Sequence, residues 1–440
     1  MKKVLIVSYY FPPSGGPGVQ RVLKFAKYLP QFGWEPVILT VENGDYPARD
    51  ESLLKEIPSS LKIYRTKIFE PYNLYRVLTG KESGSAVDVN NIPQKGDRKK
   101  IPEIVSEFIR STFFIPDARV GWLATAVKEG KRIIEQEHIQ MIYSSSPPYT
   151  CALIARTLHH ATHVPWVAGF RDPWTGFLST PQRWLLPAAI DKHLERSCVE
   201  KASRIEVAWK GILTDFQKKF PHVPARKFEY LPNGFDSEDF PSVMHQRNDK
   251  FTVTYAGSMY GVRNPQSFFE AVTQLIQEGK IEAKKIRLRF IGRFGADVLE
   301  MFRLPLIRDC VEVIKYLPHS ESIRHLVSSD ALLLVVDEFE GHDDIVPGKV
   351  FEYLGAKRPI IAVAPEGAAA MLLHETCAGK SARHHDIDAI KSIFLEYYND
   401  YLYTSNNFQP NRESIARYER KEVTKRLADI FNELTPPAAD

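Results

Sequence analysis

Short apolar runs, each followed by turn-forming residues and then by apolar residues at three- and four-residue spacing, recur along the chain. The first, KKVLIV, leads into the loop SYYFPPSGGPG, and VQRVLKFAKYLPQF carries a helical period as far as Gly33. WEPVILTV is the second run. Runs this short and this apolar predict strands buried in a parallel sheet. The order strand, glycine loop, helix, strand predicts the opening of a doubly wound α/β domain. MIYSSSPP and VPWVAGFRDPW predict later strands with ligand-facing loops at their carboxyl ends.

The design starts again near residue 228. KFEYLPNGFD closes the crossover, FTVTYAGSMYG repeats the strand and glycine loop, and KIRLRFIG, VEVIKYLP and ALLLVVDEF supply further strands. The pattern predicts two α/β units, residues 1–215 and 228–405, facing each other across a cleft, with a closing helical segment over 410–440. Residues 81–100, KESGSAVDVNNIPQKGDRKK, are polar and rich in turn formers, which predicts a mobile excursion. A length of 440 residues also favours two cores over one.

Composition narrows the class only a little, since 44% hydrophobic and 25% charged residues are ordinary globular values. A net charge of +4 is too small to argue for nucleic acid and does not oppose weak attraction to an anionic membrane. Cys151, Cys198, Cys310 and Cys377 are far apart, which suggests neither a zinc site nor a disulfide framework and fits a reducing cytosol. The apolar run VLIV is broken at once by Ser8 and two tyrosines, too short for a secretory signal, and no run approaches the length of a membrane span. The expectation is a cytoplasmic protein, soluble or bound peripherally at the inner face of the membrane.

The densest chemistry lies in DDIVPGKVFEYLGAKRPIIAVAPE, from Asp343 to Glu366. Pro347 and Gly348 open a helix whose leading N–H groups and positive dipole end suit a diphosphate, and Gly348 keeps a side chain out of their path. Lys349 adds a full positive charge, and Val350 follows in the first turn. Glu352, three positions after Lys349, shares its helical face and can accept hydrogen bonds from vicinal hydroxyls. PIIAVAP then predicts a buried strand, and the whole predicts a nucleotide-diphosphate pocket.

This stretch resembles the GT-B glycosyltransferases, in particular the large retaining, family 4-like group that builds bacterial surface polysaccharides and glycolipids. That group carries an acidic residue, seven intervening residues and a glutamate, which Asp344 and Glu352 match with aspartate in place of the usual glutamate. PGKVFEYL is similar to the group's P-S-K-x-x-E-Y-L helix apart from Gly348. The resemblance implies a GT-B fold, two Rossmann-like domains with a final helix crossing back onto the first, TSNNFQPNRE being a plausible crossing point. It also implies transfer of a sugar from a nucleotide-diphosphate sugar, held by the C-terminal half, to a saccharide or lipid-linked acceptor on the N-terminal half. Retention of configuration, with neither a metal nor another cofactor, is part of the same implication. On this basis Arg263, Lys349 and the helix start at Gly348 steady the diphosphate, Gly257 and Ser258 line the loop after FTVTYA, and Val350 belongs to the donor pocket. Glu352 holds the ribose, Asp344 contacts the sugar, and Gly15 and Gly16 bring backbone from the first domain. Ser258 stands where arginine is common, and SSSPPYT lacks the histidine that many relatives place near the anomeric carbon, leaving Ser146 or a backbone carbonyl in that role.

Several of these residues carry two readings on chemistry alone. Gly15, Gly16 and Gly18 suit either a tight loop or backbone approach to a ligand. Arg263 is a phosphate cation or a solvated loop residue. In RDPWTG, Asp172 is an acceptor contact or general base, or it caps the loop while Trp174 packs in the core. Asn233 and Gly234 predict a turn with glycine at positive φ. Asp386 and Asp388 have the spacing of a metal-chelating pair, but a helix starts there, and helix N-terminal acids are the better explanation. Ile104, Val105, Phe108, Ile109 and Phe113 form an apolar stripe behind Arg98, Lys99 and Lys100 that suits either a membrane surface or the domain's own core. Other functions fit parts of the chain: a nucleotide-sugar epimerase or hydrolase, a catalytically silent partner subunit, and a dehydrogenase. The last fits worst, because Arg21 stands where the dinucleotide fingerprint needs its third glycine and Pro17 interrupts the turn.

Overall fold

The computed structural model describes residues 1–46, 49–69, 111–112, 114–176, 183–241, 247–260, 263–337, 346–404 and 407–435. The predicted excursion over 81–100 and the stripe from Ile104 to Phe113 lie outside the described residues. The chain divides into two compact units, Met1–Pro232 with Val423–Asp440, and Asn233–Glu422.

The first unit is built on strands β1 (Lys2–Val7), β2 (Trp34–Val41), β3 (Lys62–Thr66), β4 (Met141–Ser146), β5 (Trp166–Phe170), β6 (Arg204–Val207) and β7 (Phe228–Tyr230). They pair in parallel in the order β3-β2-β1-β4-β5-β6-β7. Val4 to Val7 are fully buried, which explains the unbroken apolar run that encodes β1. The helix Pro17–Tyr28 starts just after Gly16, held at φ +100, and a short 3₁₀ turn carries the chain on to Gly33 at φ +85. Phe228–Tyr230, expected to open the second unit, is hydrogen-bonded to β6 as the last strand of the first sheet. It is only three residues long, so the hydrophobic pattern cannot show to which side of the crossover it belongs.

The second unit carries β8 (Phe251–Ala256), β9 (Ile286–Ile291), β10 (Val311–Ile314), β11 (Ala331–Val335), β12 (Ile360–Val363) and β13 (Gly379–Ala382), again parallel, in the order β10-β9-β8-β11-β12-β13. Gly234 does not adopt positive φ. Its requirement is space, because a Cβ there would stand 2.1 Å from the Tyr418 carbonyl oxygen. Asp386 caps the helix Ile387–Tyr403 by accepting from the Ala389 N–H at 3.0 Å, the role expected of a helix N-terminal acid.

The last helix, Arg420–Leu434, belongs to the first unit from Val423 onward. Val423, Leu427 and Phe431 enter the core beside Val4, Ile6 and Trp34, with the Trp34 and Phe431 rings 5.2 Å apart. Arg426 fastens it by donating to the Tyr230 carbonyl at 2.6 Å.

The residue that breaks the dinucleotide fingerprint has a structural task. Arg21 is fully buried, forms an ion pair with the equally buried Glu206 of β6, and donates to the carbonyls of Leu231 and Pro232 at 2.8 Å each. Tyr143 of β4 donates to the other Glu206 oxygen at 2.9 Å. Burial pushes the Glu206 carboxyl pKa upward, against the pull of Arg21. Gly169 of β5 makes room, since a Cβ would stand 2.5 Å from the Tyr143 hydroxyl. Breaking a buried pair leaves a stranded charge, so Glu206→Ala is expected to cost about 3–5 kcal/mol in the urea transition of the first unit. A loss below about 1 kcal/mol, the range of an exposed pair, contradicts this account.

Candidate functional site

In each sheet the strand order reverses once, between β1 and β4 and between β8 and β11, and chains leaving such a pair part to opposite sides. The second unit concentrates its polar chemistry there. Tyr353, on the helix Lys349–Ala356, is fully buried, accepts from the Ala256 N–H at 3.0 Å and donates to the Leu333 carbonyl at 3.2 Å. It thereby bonds both strands where they separate.

Four residues before Tyr353, Lys349 turns its ammonium inward. The amine donates to the Tyr255 hydroxyl and lies 3.9 Å from the centre of that ring. The Tyr255 hydroxyl in turn donates to the Ser258 carbonyl at 3.0 Å. Gly257, at φ +132, covers the amine so closely that a Cβ would stand 2.6 Å from Nζ. The residue as a whole is half-buried, but its charged end is enclosed. Burial, reinforced by the nearby Arg263 cation, lowers the Lys349 pKa to about 7.

Arg263 is half-buried and already carries a partner. It forms a two-pronged ion pair with Asp337, just past β11, at 3.0 and 2.6 Å. Glu352 is half-buried, and one carboxylate oxygen lies 3.2 Å from Nε2 of His319, at the head of the helix His319–Val327. Val350 is the residue expected at the donor. Its side chain is in the core, and its N–H is bonded to the Pro347 carbonyl at 3.1 Å, because the first turn is tight. Gly348 precedes the helix in αR geometry and is exposed. Asp344 lies outside the described residues.

The structure therefore brings Gly257, Ser258, Arg263, Lys349 and Glu352 together around one switch point and adds Tyr255, His319, Asp337 and Tyr353, which sequence reasoning missed. Asp337 stands in ALLLVVDEF at the end of a predicted strand, where a ligand or partner for a loop cation is expected. That was the available signal.

In the first unit, Gly15 and Gly16 follow β1 and Asp172 follows β5. Burial raises the Asp172 carboxyl pKa against the pull of Arg171. Arg171 bonds the Ser145 hydroxyl and the Pro147 carbonyl and presses on Gly18, where a Cβ would stand 3.1 Å from its guanidinium. Trp174 packs in the core, stacked on Tyr149 at 4.7 Å and donating to Asp191 at 2.8 Å. The Ser146 hydroxyl, at the end of β4, is buried with no hydrogen-bond partner among the described residues. Among the described residues, no helix is long and apolar enough to cross a membrane and no group of three or more His, Cys, Asp or Glu is placed to hold a metal.

Two parallel, doubly wound sheets and a last helix packed on the first define the GT-B fold, and solved structures agree over nearly the whole chain. Sucrose-phosphate synthase from Thermosynechococcus elongatus is 12% identical, with 100% of each chain covered and a TM-score of 0.64. Anabaena HepE, solved with UDP and glucose, is 14% identical over 98% of this chain and 100% of its own, with a TM-score of 0.57. A variant of S. aureus TarM, solved with fondaparinux, α-GlcNAc-glycerol and UDP, is 10% identical over 98% and 100%, with a TM-score of 0.60. At such identities the likeness establishes the fold. No family model and no curated protein matches the sequence.

An amine that folding holds near neutrality leaves a pH signature. The unfolded chain binds more protons than the folded one between pH 7 and the ordinary lysine range, so this group's contribution to stability rises with pH across that window. Lys349→Met, which keeps the volume and removes the charge, is expected to raise stability by about 1–2 kcal/mol near pH 6, the partial exposure having been allowed for. The gain should shrink toward pH 10. Thermal melts of both proteins across that range check this, and a gain that does not vary with pH contradicts it.

Proposed function

We propose that this chain is a GT-B glycosyltransferase that takes a sugar from a nucleotide-diphosphate sugar and passes it, with retention, to a saccharide or lipid-linked acceptor in surface-glycan synthesis. One observation carries the reading: an enclosed lysine ammonium at the head of a helix, on the switch point of the second sheet, whose nearest partner is a phenol. A diphosphate suits that place because the amine, the leading N–H groups at Gly348 and Lys349 and the helix dipole all favour negative charge. The fold shared with HepE and TarM, each solved with UDP, supports the same assignment.

In this reading Lys349 and the helix start hold the diphosphate, Arg263 adds charge from its pairing with Asp337, and Glu352, braced by His319, accepts from the ribose hydroxyls. These cations favour departure of the diphosphate, where the largest charge develops. As the bond from the anomeric carbon to the phosphate oxygen breaks, the acceptor oxygen bonds to that carbon on the same face. Its proton passes to the departing phosphate oxygen, so no protein carboxylate has to serve as nucleophile. Gly16 and Asp172 belong to the acceptor side, and Asp344 to the sugar. A cytoplasmic location, with the inner membrane face within reach for a lipid-linked acceptor, completes the proposal.

A nucleoside diphosphate panel tests it by thermal shift, since a ligand that binds only the folded state raises the melting temperature by mass action. At least one nucleoside diphosphate should shift the wild type, and Lys349→Ala and Glu352→Ala should each abolish most of the shift. A shift that survives both substitutions places the pocket elsewhere.

The lysine also sets a pH dependence. Bound phosphate favours the charged amine, so binding takes up a proton wherever the free protein's Lys349 is neutral, above about pH 7. From pH 7.5 to 9, above the titration of the phosphate itself, affinity should fall toward about tenfold per pH unit. Calorimetry should show this fall in the wild type and none in Lys349→Met. A flat wild-type profile contradicts the proton uptake.

A further inference from the structure

The carboxyl ends of β1, β2 and β3 carry a group of arginines on aromatic rings that neither the core nor the diphosphate site uses. Tyr9, in the loop after β1, and Tyr46, in the loop after β2, meet edge to face with ring centroids 5.9 Å apart. Arg49 lies 5.7 Å from the centre of Tyr46, and Arg119 lies 4.9 Å from the centre of Tyr9. Arg65, in β3, reaches the same place and donates to the Pro12 carbonyl at 3.2 Å. Burial raises the pKa of the Tyr46 phenol while Arg65, Arg49 and Arg119 pull it down, so all three cations act on one hydroxyl.

Backbone bonds join the described residues around them. Ser14 and Arg49 form an antiparallel bridge, Asp50 N–H donates to the Pro13 carbonyl at 2.9 Å, and Asp45 N–H donates to the Tyr9 hydroxyl at 2.9 Å. Of the three cations, only Arg119 has a carboxylate close by among the described residues. Asp45 stands 3.8 Å from Arg119, whereas Arg49 and Arg65 are exposed and have no carboxylate partner among the described residues. Like charges gathered without counter-charge repel, and guanidinium forks match the oxygens of a phosphate or carboxylate in pairs.

We propose that the first unit takes an acceptor bearing a phosphate or a carboxylate, gripped by Arg49 and Arg65 beside the Tyr46 ring, with Arg119 adding charge behind them. This rests on the glycosyltransferase reading and names the chemical class of its acceptor. The shared chemistry is an anionic oxygen cluster, which a soluble saccharide or a lipid headgroup could each present.

The test has two arms on the full chain, both with the best-binding nucleoside diphosphate saturating the donor site. In the first, glucose 1-phosphate, glucuronate and methyl glucoside are titrated by calorimetry. In the second, the protein is sedimented with phosphatidylcholine vesicles prepared with and without phosphatidic acid. The expected result in at least one arm is a preference of about tenfold or more for the charged ligand, lost in the double variant Arg49→Ala, Arg65→Ala. The arm that responds tells whether a soluble saccharide or a lipid presents the anion. The double variant should keep the wild-type melting temperature and nucleotide shift, because both side chains are exposed and lie outside the donor site. No preference in either arm, or a preference that survives the double variant, overturns the proposal. A wild type that binds no nucleoside diphosphate sinks the glycosyltransferase reading instead, and the two arms, then run without nucleotide, still decide whether the arginines hold an anion.

Discussion

A parallel strand pair cannot be closed by a tight turn, so each strand must hand the chain to a crossover that returns it over one face of the sheet. When successive crossovers change sides, two neighbouring strands send their chains apart, and the backbone beyond their carboxyl ends has no neighbour to pair with. In the second unit this happens between β8 and β11. Tyr353 ties the two strands at the point of parting, bonding Ala256 on one and Leu333 on the other. Because Tyr353 fixes its helix there, the head of that helix, with Lys349, is held beneath the Gly257 loop. The position of the amine thus follows from the connectivity of the sheet.

The elements that were legible in the sequence are those whose physics is local. Unbroken apolar runs gave away β1 and β11 because parallel strands bury both faces, and Gly33 marked its helix end through a backbone angle that side chains disfavour. Lys349 and Glu352 could be placed on one face because three residues of helix fix that relation. What escaped depends on distant parts of the chain meeting. Arg263 and Asp337 are separated by 74 positions and His319 and Glu352 by 33, so no spacing rule connects them. At Val350, position in a first turn says that an N–H is near the helix start, but not that a tight turn has already bonded it. The strand at Gly379–Ala382 lies at a sheet edge with two exposed residues, so it lacks the apolar run by which its neighbours declare themselves.

The two units bury a cation in opposite ways. Arg21 has a carboxylate from Glu206 and two backbone carbonyls, so its charge is compensated within the fold. Such a group has no further capacity for an anion, and the pull of Arg21 and the Tyr143 hydrogen bond oppose the burial that raises the Glu206 pKa. Lys349 has a phenol and, close by, another cation. Burial and that cation outweigh the partial compensation from Glu352 and Asp337, and the folded protein accommodates the amine by lowering its pKa to about 7. A fold under selection for stability alone has simpler solutions at that position, since a buried methionine or leucine needs no partner. The arrangement is useful if the amine is to become charged only when an anion arrives, and then in an enclosed setting where the attraction is strong. Under the proposed function, a diphosphate bound there would gain a cation that water has not already solvated, and its growing charge on leaving the sugar would meet that same cation.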